Sequence, residues 1–357
     1  MRALGVLSQA YEVVCVCKQG SPFSLELTRA GYRVVSVARL WAAHGPAALL
    51  NPFRVLRSFL RVVRYLPVAV YTNTGPGHKH GVRLARLLRV PSIVHVHTLL
   101  APCRRDRFLL SRADAVLVNS AATQRTLPTG VGSRIVHNSI PAMTKGVPVL
   151  KQEFGVEQCL AVTHVGTLTE QKGWEEFIHA AVVIRRDVPD VVFFAVGEAK
   201  PEEKAYEALL RAEVRRCGLS NVFFFTGFRR EMQDVYASAD VLLFPTRVEG
   251  FGLVIVEAFV AGVAVVSTRS GGPEDVIEDG VSGFLCEVGD VPAMASCVTM
   301  LLTDVAVRRR VVNAARARAR VMFGEDVYAE ALRAVFATVI GPRGPRSSGD
   351  RNSLATE

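Results

Sequence analysis

The residue types best suited to chemistry stand close together in one stretch, FPTRVEGFGLVIVEAFVAGVAVVS, at 244–267. Glu249 precedes Gly250-Phe251-Gly252, a helix is expected from Leu253, and Glu257 follows eight residues after Glu249. Two glycines allow backbone N–H groups to approach a ligand closely, and the start of a helix favours an anion. Glu257 is the only charge between Gly250 and Thr268. A carboxylate buried there without a partner costs several kcal/mol, so something must hydrogen-bond it, and sugar hydroxyls are suited to that. The other reading of Glu257 is a charge that offsets the helix dipole or pairs with an arginine.

A second constellation is HVGTLTEQKGWEEF at 164–177. It reads as a strand ending at Gly166, a loop carrying Lys172-Gly173, and a following helix. A lysine above a glycine-containing loop at a strand's carboxyl end is a sensible phosphate ligand, although Lys-Gly alone also describes any solvated loop. A third is His95-Val96-His97 at the end of an apolar strand. Both histidines fall on the side where open α/β sheets bind ligands, and a structural role is the competing reading.

These segments need a scaffold, and the pattern supplies one. In the first half, short β-branched runs at Val13–Cys17, Tyr32–Val37, Val68–Thr72, Ser92–His97, Ala115–Asn119 and Arg134–His137 alternate with helical stretches such as Gly81–Leu88. The second half alternates more cleanly, with strands at Leu160–Gly166, Val191–Val196, Val222–Thr226, Val241–Phe244 and Ala264–Ser267. A long helix pair, about Val291–Val321 and Asp326–Val339, closes it. Alternation of this kind predicts α/β domains with mostly parallel sheets and helices on both faces. The expected division is a first domain over 1–140, a linker over 141–158, a second domain over 159–322, a helix over 323–340 and a disordered polar tail over 341–357.

The motifs resemble those of the retaining glycosyltransferases of family 4, which have the GT-B architecture of two facing Rossmann-like domains. The signature of that family is a Glu, seven residues and a second Glu, with Gly-Phe-Gly after the first, and Glu249, GFG and Glu257 match it. VHNSIP at 136–141, FTGFRREMQDVYASADVLLFPT at 225–246 and SGGPEDVIEDGVSGFLCEVGD at 270–290 are also similar, and the resemblance covers about residues 10–340. It implies that Glu257 binds the donor's ribose hydroxyls and that Glu249 holds the donor sugar with the Phe251 and Gly252 amides. Gly166, Thr167, Gly250 and Leu253 complete the implied donor site, Lys172 meets the pyrophosphate, and His97, rather than His95, lines the transfer site. No metal ligand and no cofactor is implied beyond the nucleotide sugar itself. No protein nucleophile is assigned. Cationic side chains and the helix dipole then stabilise the leaving group.

Two departures stand out. Thr167 occupies the position where the family usually has an arginine of the pyrophosphate clamp. RALGVLSQ resembles the end of the family's opening helix, so the first domain is expected to lack its first strand and glycine loop.

Charge divides unevenly along the chain. Residues 1–150 hold 20 basic side chains against four acidic ones, a balance of +16, while the remainder holds 23 against 29, a balance of −6. That asymmetry fits a first half facing an anionic membrane surface or acidic acceptor, or a merely solvated arginine-rich surface. A basic amphipathic stretch at 53–64 has the same two readings. Seven scattered cysteines, without Cys-x-x-Cys, argue against disulfides and structural zinc. No run of 18 apolar residues and no secretory signal is found, and the expectation is a cytoplasmic protein, peripheral on the inner face of the cell membrane. The leading function is transfer of a hexose from a nucleotide diphosphate sugar to a lipid or polysaccharide acceptor. A catalytically impaired nucleotide-sugar-binding homologue and a nucleotide-sugar epimerase are the alternatives. Nucleic acid is not an expected partner, and no Gly-x-Gly-x-x-Gly opens the chain for a dinucleotide.

Overall fold

The computed structural model describes residues 2–18, 21–37, 60–73, 75–100 and 108–341. In the first half these form α1 (Arg2–Leu7), β1 (Val14–Lys18), α2 (Pro22–Arg29), β2 (Arg33–Val37), β3 (Val70–Thr72), α3 (Gly75–Leu88), β4 (Ser92–Val96), β5 (Ala115–Val118), α4 (Ala121–Arg125) and β6 (Arg134–Ile135). The first described element is a helix. The strands divide into a parallel pair, β1-β2, and a parallel sheet in the order β3-β4-β5-β6. No strand among the described residues joins the two. Packing links them: Leu84 and Leu88 of α3 cover Val14 and Val35 of the pair, while Val82 from the same helix packs with Val94 and Val96 of β4. Of the basic stretch expected at 53–64, only its end is described, with residues 60–63 helical and Val62 buried. The rest, and the tail beyond Gly341, lie outside the described residues.

The second half begins in the linker, where the sequence has no clear period. The structure places there a short helix, α5 (Val149–Glu153), and five residues are too few to leave a periodic signal. Buried Leu150 donates its N–H to Ser238 Oγ at 3.1 Å, and Lys151 pairs with Asp240 at 3.1 Å. Next come β7 (Leu160–Val165), α6 (Trp174–Asp187), β8 (Val191–Val196), α7 (Lys204–Arg216), β9 (Phe223–Gly227), α8 (Met232–Ala237), β10 (Val241–Phe244), α9 (Leu253–Ala261), β11 (Ala264–Thr268), α10 (Pro273–Val276) and β12 (Phe284–Cys286). Their strands make one parallel sheet in the order β12-β11-β10-β7-β8-β9. The central strands are mainly apolar, and even their polar members Thr163, His164, Ser267 and Thr268 are buried, as a parallel sheet covered by helices requires.

The helix expected over 291–321 is in fact two, α11 (Val291–Thr303) and α12 (Val305–Phe323). Asp304 makes the break: it takes an extended conformation, and its carboxylate accepts the Val307 N–H at 2.9 Å as an N-cap. Apolar residues continue on both sides without Gly or Pro, so the period alone hides the joint. After Gly324, α13 (Glu325–Ile340) crosses back to the first half. There Leu332, Val335 and Phe336 pack with Ile93, Leu117 and Val136, and with Ala3 and Leu7 of α1. Just before the linker, the first half is tied to the end of α12, where Ile140 N–H donates to the Phe323 carbonyl at 3.1 Å. The six cysteines among the described residues are free thiols. No single described helix is long and apolar enough to cross a membrane.

Candidate active site

The second half presents its motif at the carboxyl ends of β7, β10 and β11. After β10, the backbone N–H of Glu249 donates to the Ser270 carbonyl at 3.0 Å, and Gly272 N–H returns to the Glu249 carbonyl at 2.8 Å. These bonds fasten the GFG loop to the loop after β11. Gly252 then takes a left-handed conformation, φ 92°, which glycine adopts without strain, and α9 starts there. One oxygen of Glu249 accepts the Gly250 N–H at 3.0 Å, and the other pairs with the Lys172 ammonium at 2.7 Å. Glu249 and Lys172, read separately from the sequence, are thus direct neighbours, each about one-fifth exposed at 19% and 24%.

Lys172 is held from below. It ends a 3-10 turn, Glu170–Lys172, and Gly173 follows at φ 71°. A Cβ at Gly173 would stand 1.9 Å from the Pro245 carbonyl oxygen, so only glycine lets the turn lie against the loop after β10. His164 Nε2 donates to the Lys172 carbonyl at 2.9 Å from a fully buried position beside Trp174. Burial pushes the His164 pKa down to about 3, so the ring is neutral and acts as a strut. His164 lay within the quoted motif, but only burial reveals what it does. The neighbouring Gly166 donates to the Val196 carbonyl at 3.0 Å, and the Thr167 carbonyl accepts Trp174 Nε1–H at 2.9 Å. Position 167 is fixed by its backbone, at the strand end where its side chain is partly exposed.

Glu257 stands apart from the Lys172–Glu249 pair, on α9. The sequence requires a partner for it, and the partner is Tyr236, whose hydroxyl donates to Glu257 Oε2 at 2.9 Å from a fully buried ring. Burial raises the Glu257 pKa, while the Tyr236 bond and the charge of Arg2 oppose that rise. The Arg2 guanidinium, at the start of α1, donates to the Ser139 carbonyl. The sequence marks neither Tyr236 nor Arg2 as a neighbour of Glu257, because only tertiary packing brings the Tyr236 hydroxyl and the Arg2 charge toward it. The other Glu257 oxygen takes no hydrogen bond from the described residues, which leaves a carboxylate oxygen for hydroxyls to meet.

The first half supplies the facing wall. Polar residues stand beyond the strand ends of the four-stranded sheet there: Asn73 directly after β3, His97 after β4, Asn119 after β5, and Asn138 three residues beyond β6. Two of these asparagines bond to His97. Asn73 Oδ1 accepts from the ring at Nε2, and Asn119 Nδ2 donates to the His97 carbonyl at 3.0 Å. Burial lowers the His97 pKa. His95 is fully buried behind it, its ring 4.0 Å from that of His97 and its Nδ1 on the Tyr71 hydroxyl at 2.8 Å. His95 therefore faces the interior, and His97 lies at the sheet edge.

The two walls touch. A Cβ at Gly250 would lie 3.4 Å from the His97 carbonyl oxygen, Ser120 Oγ donates to the Gly250 carbonyl, and Asp275 accepts the Ala121 N–H. The Phe251 side chain is 2% exposed and packs against His137 and Phe323, so only its backbone is left to meet a ligand. Leu253, at the first turn of α9, is 38% exposed.

Known proteins share both halves. Residues 2–138 match the glycosyl transferase 4-like domain and residues 151–318 match glycosyl transferases group 1. The lipopolysaccharide core biosynthesis mannosyltransferase LpsB of Rhizobium meliloti is 28% identical over 66% of this chain and 68% of its own. A GDP-mannose-dependent alpha-(1-6)-phosphatidylinositol monomannoside mannosyltransferase of Mycolicibacterium smegmatis is 28% identical over 75% and 68%. A 2-deoxystreptamine N-acetyl-D-glucosaminyltransferase of Niallia circulans is 31% identical, but over 40% of this chain and 36% of its own. Among solved structures, Anabaena HepE in complex with UDP superposes with a TM-score of 0.82 at 23% identity, covering 94% of this chain and 95% of that one. That likeness is one of fold, with two facing Rossmann-like domains. With both halves matched in order and the Glu249-GFG-Glu257 motif folded against the first half, the chain belongs to the group 1, family 4 retaining glycosyltransferases, GT-B enzymes that transfer a sugar from a nucleotide-sugar donor.

Proposed function

We propose that this enzyme moves a hexose from a nucleotide diphosphate sugar onto a lipid or polysaccharide acceptor of the cell envelope. The observation that carries the donor assignment is Glu257: a partly buried carboxylate with one oxygen held by Tyr236 and the other open. In this reading the open oxygen accepts ribose hydroxyls. Glu249 and the backbone of Gly250, Phe251, Gly252 and Leu253 hold the donor sugar at the start of α9, where the helix dipole favours the charge of the leaving diphosphate. Lys172, which pairs with Glu249, turns toward the pyrophosphate when a donor enters, beside Gly166 and Thr167. His97 lines the sugar from the other wall. We assign 1–140 to the acceptor side, 159–322 to the donor side and 141–158 to the link between them, with 323–340 as the helix that returns.

The acceptor side also suits an anionic membrane surface. No Asp or Glu occurs between Glu26 and Asp106, while that stretch carries arginines throughout. Exposed Leu60, Leu66 and Leu87 alternate there with Arg61, Arg64 and Arg86. A cytoplasmic enzyme held at the inner membrane face by such a surface would bind anionic vesicles at low salt and release them at high salt.

Calorimetric titration with UDP, GDP and ADP tests the donor site. One nucleotide should bind in the micromolar range, and Glu257→Ala should weaken it by about 10–100-fold, the worth of one or two hydrogen bonds to a charged group. Thr167 favours a second reading, a binding homologue with a weakened leaving-group clamp. Nucleotide binding without turnover on any envelope acceptor, restored by Thr167→Arg, would support that one. Absence of binding in a folded protein would sink both.

A further inference from the structure

Behind His97 runs a chain of polar side chains that the donor site does not account for. Asn73 Oδ1 accepts two hydrogen bonds, one from His97 Nε2 and one from the Tyr71 hydroxyl at 3.1 Å. The Tyr71 hydroxyl in turn meets His95 Nδ1 at 2.8 Å. Tyr71 itself is wedged between His95 and Phe336, with ring centroids 6.2 and 5.7 Å away. Phe336 lies on α13, so the helix that returns from the second half packs on Tyr71 and, through Tyr71 and Asn73, reaches the histidine at the edge of the first-half sheet.

The donors and acceptors of this chain are constrained. With Tyr71 donating its single proton to Asn73, its oxygen must accept from His95, which places a proton on His95 Nδ1. Burial keeps the His95 ring neutral, so one of its two nitrogens carries a lone pair. At the other end, an amide oxygen can only accept, so Asn73 requires the proton of His97 to sit on Nε2 and leaves Nδ1 as an acceptor. An unrestrained imidazole would exchange tautomers and rotate. A group that must meet a sugar hydroxyl in one orientation loses rate when it is free to do so.

We propose that Asn73 is the positioning residue for His97: it selects the Nε2–H tautomer, fixes the ring at the cleft edge, and is itself held by Tyr71, which packs against α13. The proposal rests on the reading that His97 lines the transfer site. Asn73 touches no substrate; it acts through the ring.

The test compares wild type, Asn73→Ala, Asn73→Asp, Tyr71→Phe and His97→Ala in the full chain, with nitrogen-15 NMR of the histidine rings and steady-state kinetics. Wild type should show His97 with a protonated Nε2 and a bare Nδ1. Asn73→Ala should average the two ring nitrogens and lower kcat by about 10–100-fold, with donor KM changed less than about threefold. Asn73→Asp keeps an acceptor oxygen, so it should restore the Nε2–H signature. Tyr71→Phe, which keeps the packed ring, should give a smaller shift in the same direction and serves if Asn73→Ala fails to fold. An unchanged His97 signature in Asn73→Ala, or in Tyr71→Phe if that is the folded variant, would overturn the proposal. Full activity of His97→Ala would overturn the reading beneath it instead, while the NMR result still decides whether Asn73 sets the tautomer.

Discussion

The two halves solve the same architectural problem with unequal completeness. The second half is one six-stranded parallel sheet, with Phe177, Phe193, Phe194, Leu243 and Phe259 fully buried in its two layers. The first half carries its described strands in two separate sheets bridged by α3, and part of its core is completed by α1 and by α13 arriving from the far end of the chain. The difference follows the division of labour in the proposed reaction. A nucleotide diphosphate is a constant ligand that rewards a rigid platform, with glycine loops and helix starts fixed by a continuous sheet. The wall that faces an acceptor supplies side chains rather than backbone, and these are held by asparagines and a borrowed helix.

That contrast can be broken at several points. The largest effect belongs to the second-half platform: Glu249→Ala or Lys172→Ala should each lower turnover by on the order of 10²–10³-fold, the usual cost of removing one charge-stabilising contact. Steady-state sugar transfer checks it. Equal losses from any exposed first-half arginine would show that the platform is not where the chemistry concentrates.

Backbone fit should differ between the halves too. Gly173→Ala meets the Pro245 carbonyl and a left-handed φ together, so it should destabilise by several kcal/mol in denaturant titration. Gly31 in the first half has φ 82° and open space around it, so Gly31→Ala should cost only about 1 kcal/mol. Similar losses at the two sites would mean that the tight approach at Gly173 is relieved in solution.

Acid sharpens the comparison further. His164 has a folded pKa near 3 against 6.5 for the free side chain, so between those values the unfolded chain binds a proton that the folded one does not. Its contribution is intact above pH 6.5 and is lost as pH falls toward 3, by on the order of 1 kcal/mol per pH unit. His164→Gln should flatten that limb of the stability curve. An unchanged slope would place the acid sensitivity elsewhere, with His95 of the first half the next candidate, since its pKa is lowered for the same reason. The smallest difference is one of local opening: amides of the β1-β2 pair should exchange with deuterium sooner than those of β7, β8 and β10.

The sequence by itself determined the parallel α/β class, because strands buried on both faces must read as apolar runs separated by helices. It also singled out the motif proposed here for the donor, since Glu249, GFG, Glu257 and Lys172 sit in local patterns of glycine, charge and strand end. Short segments escaped it: α5 is too brief for a period, and the cap at Asp304 lies in an unbroken apolar pattern. Only the tertiary structure decided that Lys172 and Glu249 are a pair, that Tyr236 holds Glu257, that His95 is buried while His97 stands at the edge, and that Asn73 and Asn119 converge on His97. The physical reason is common to all of these. Such contacts join side chains on different strands and helices, far apart in the chain, and hydrogen bonding at a distance in sequence leaves no period, no spacing and no composition for the sequence to show.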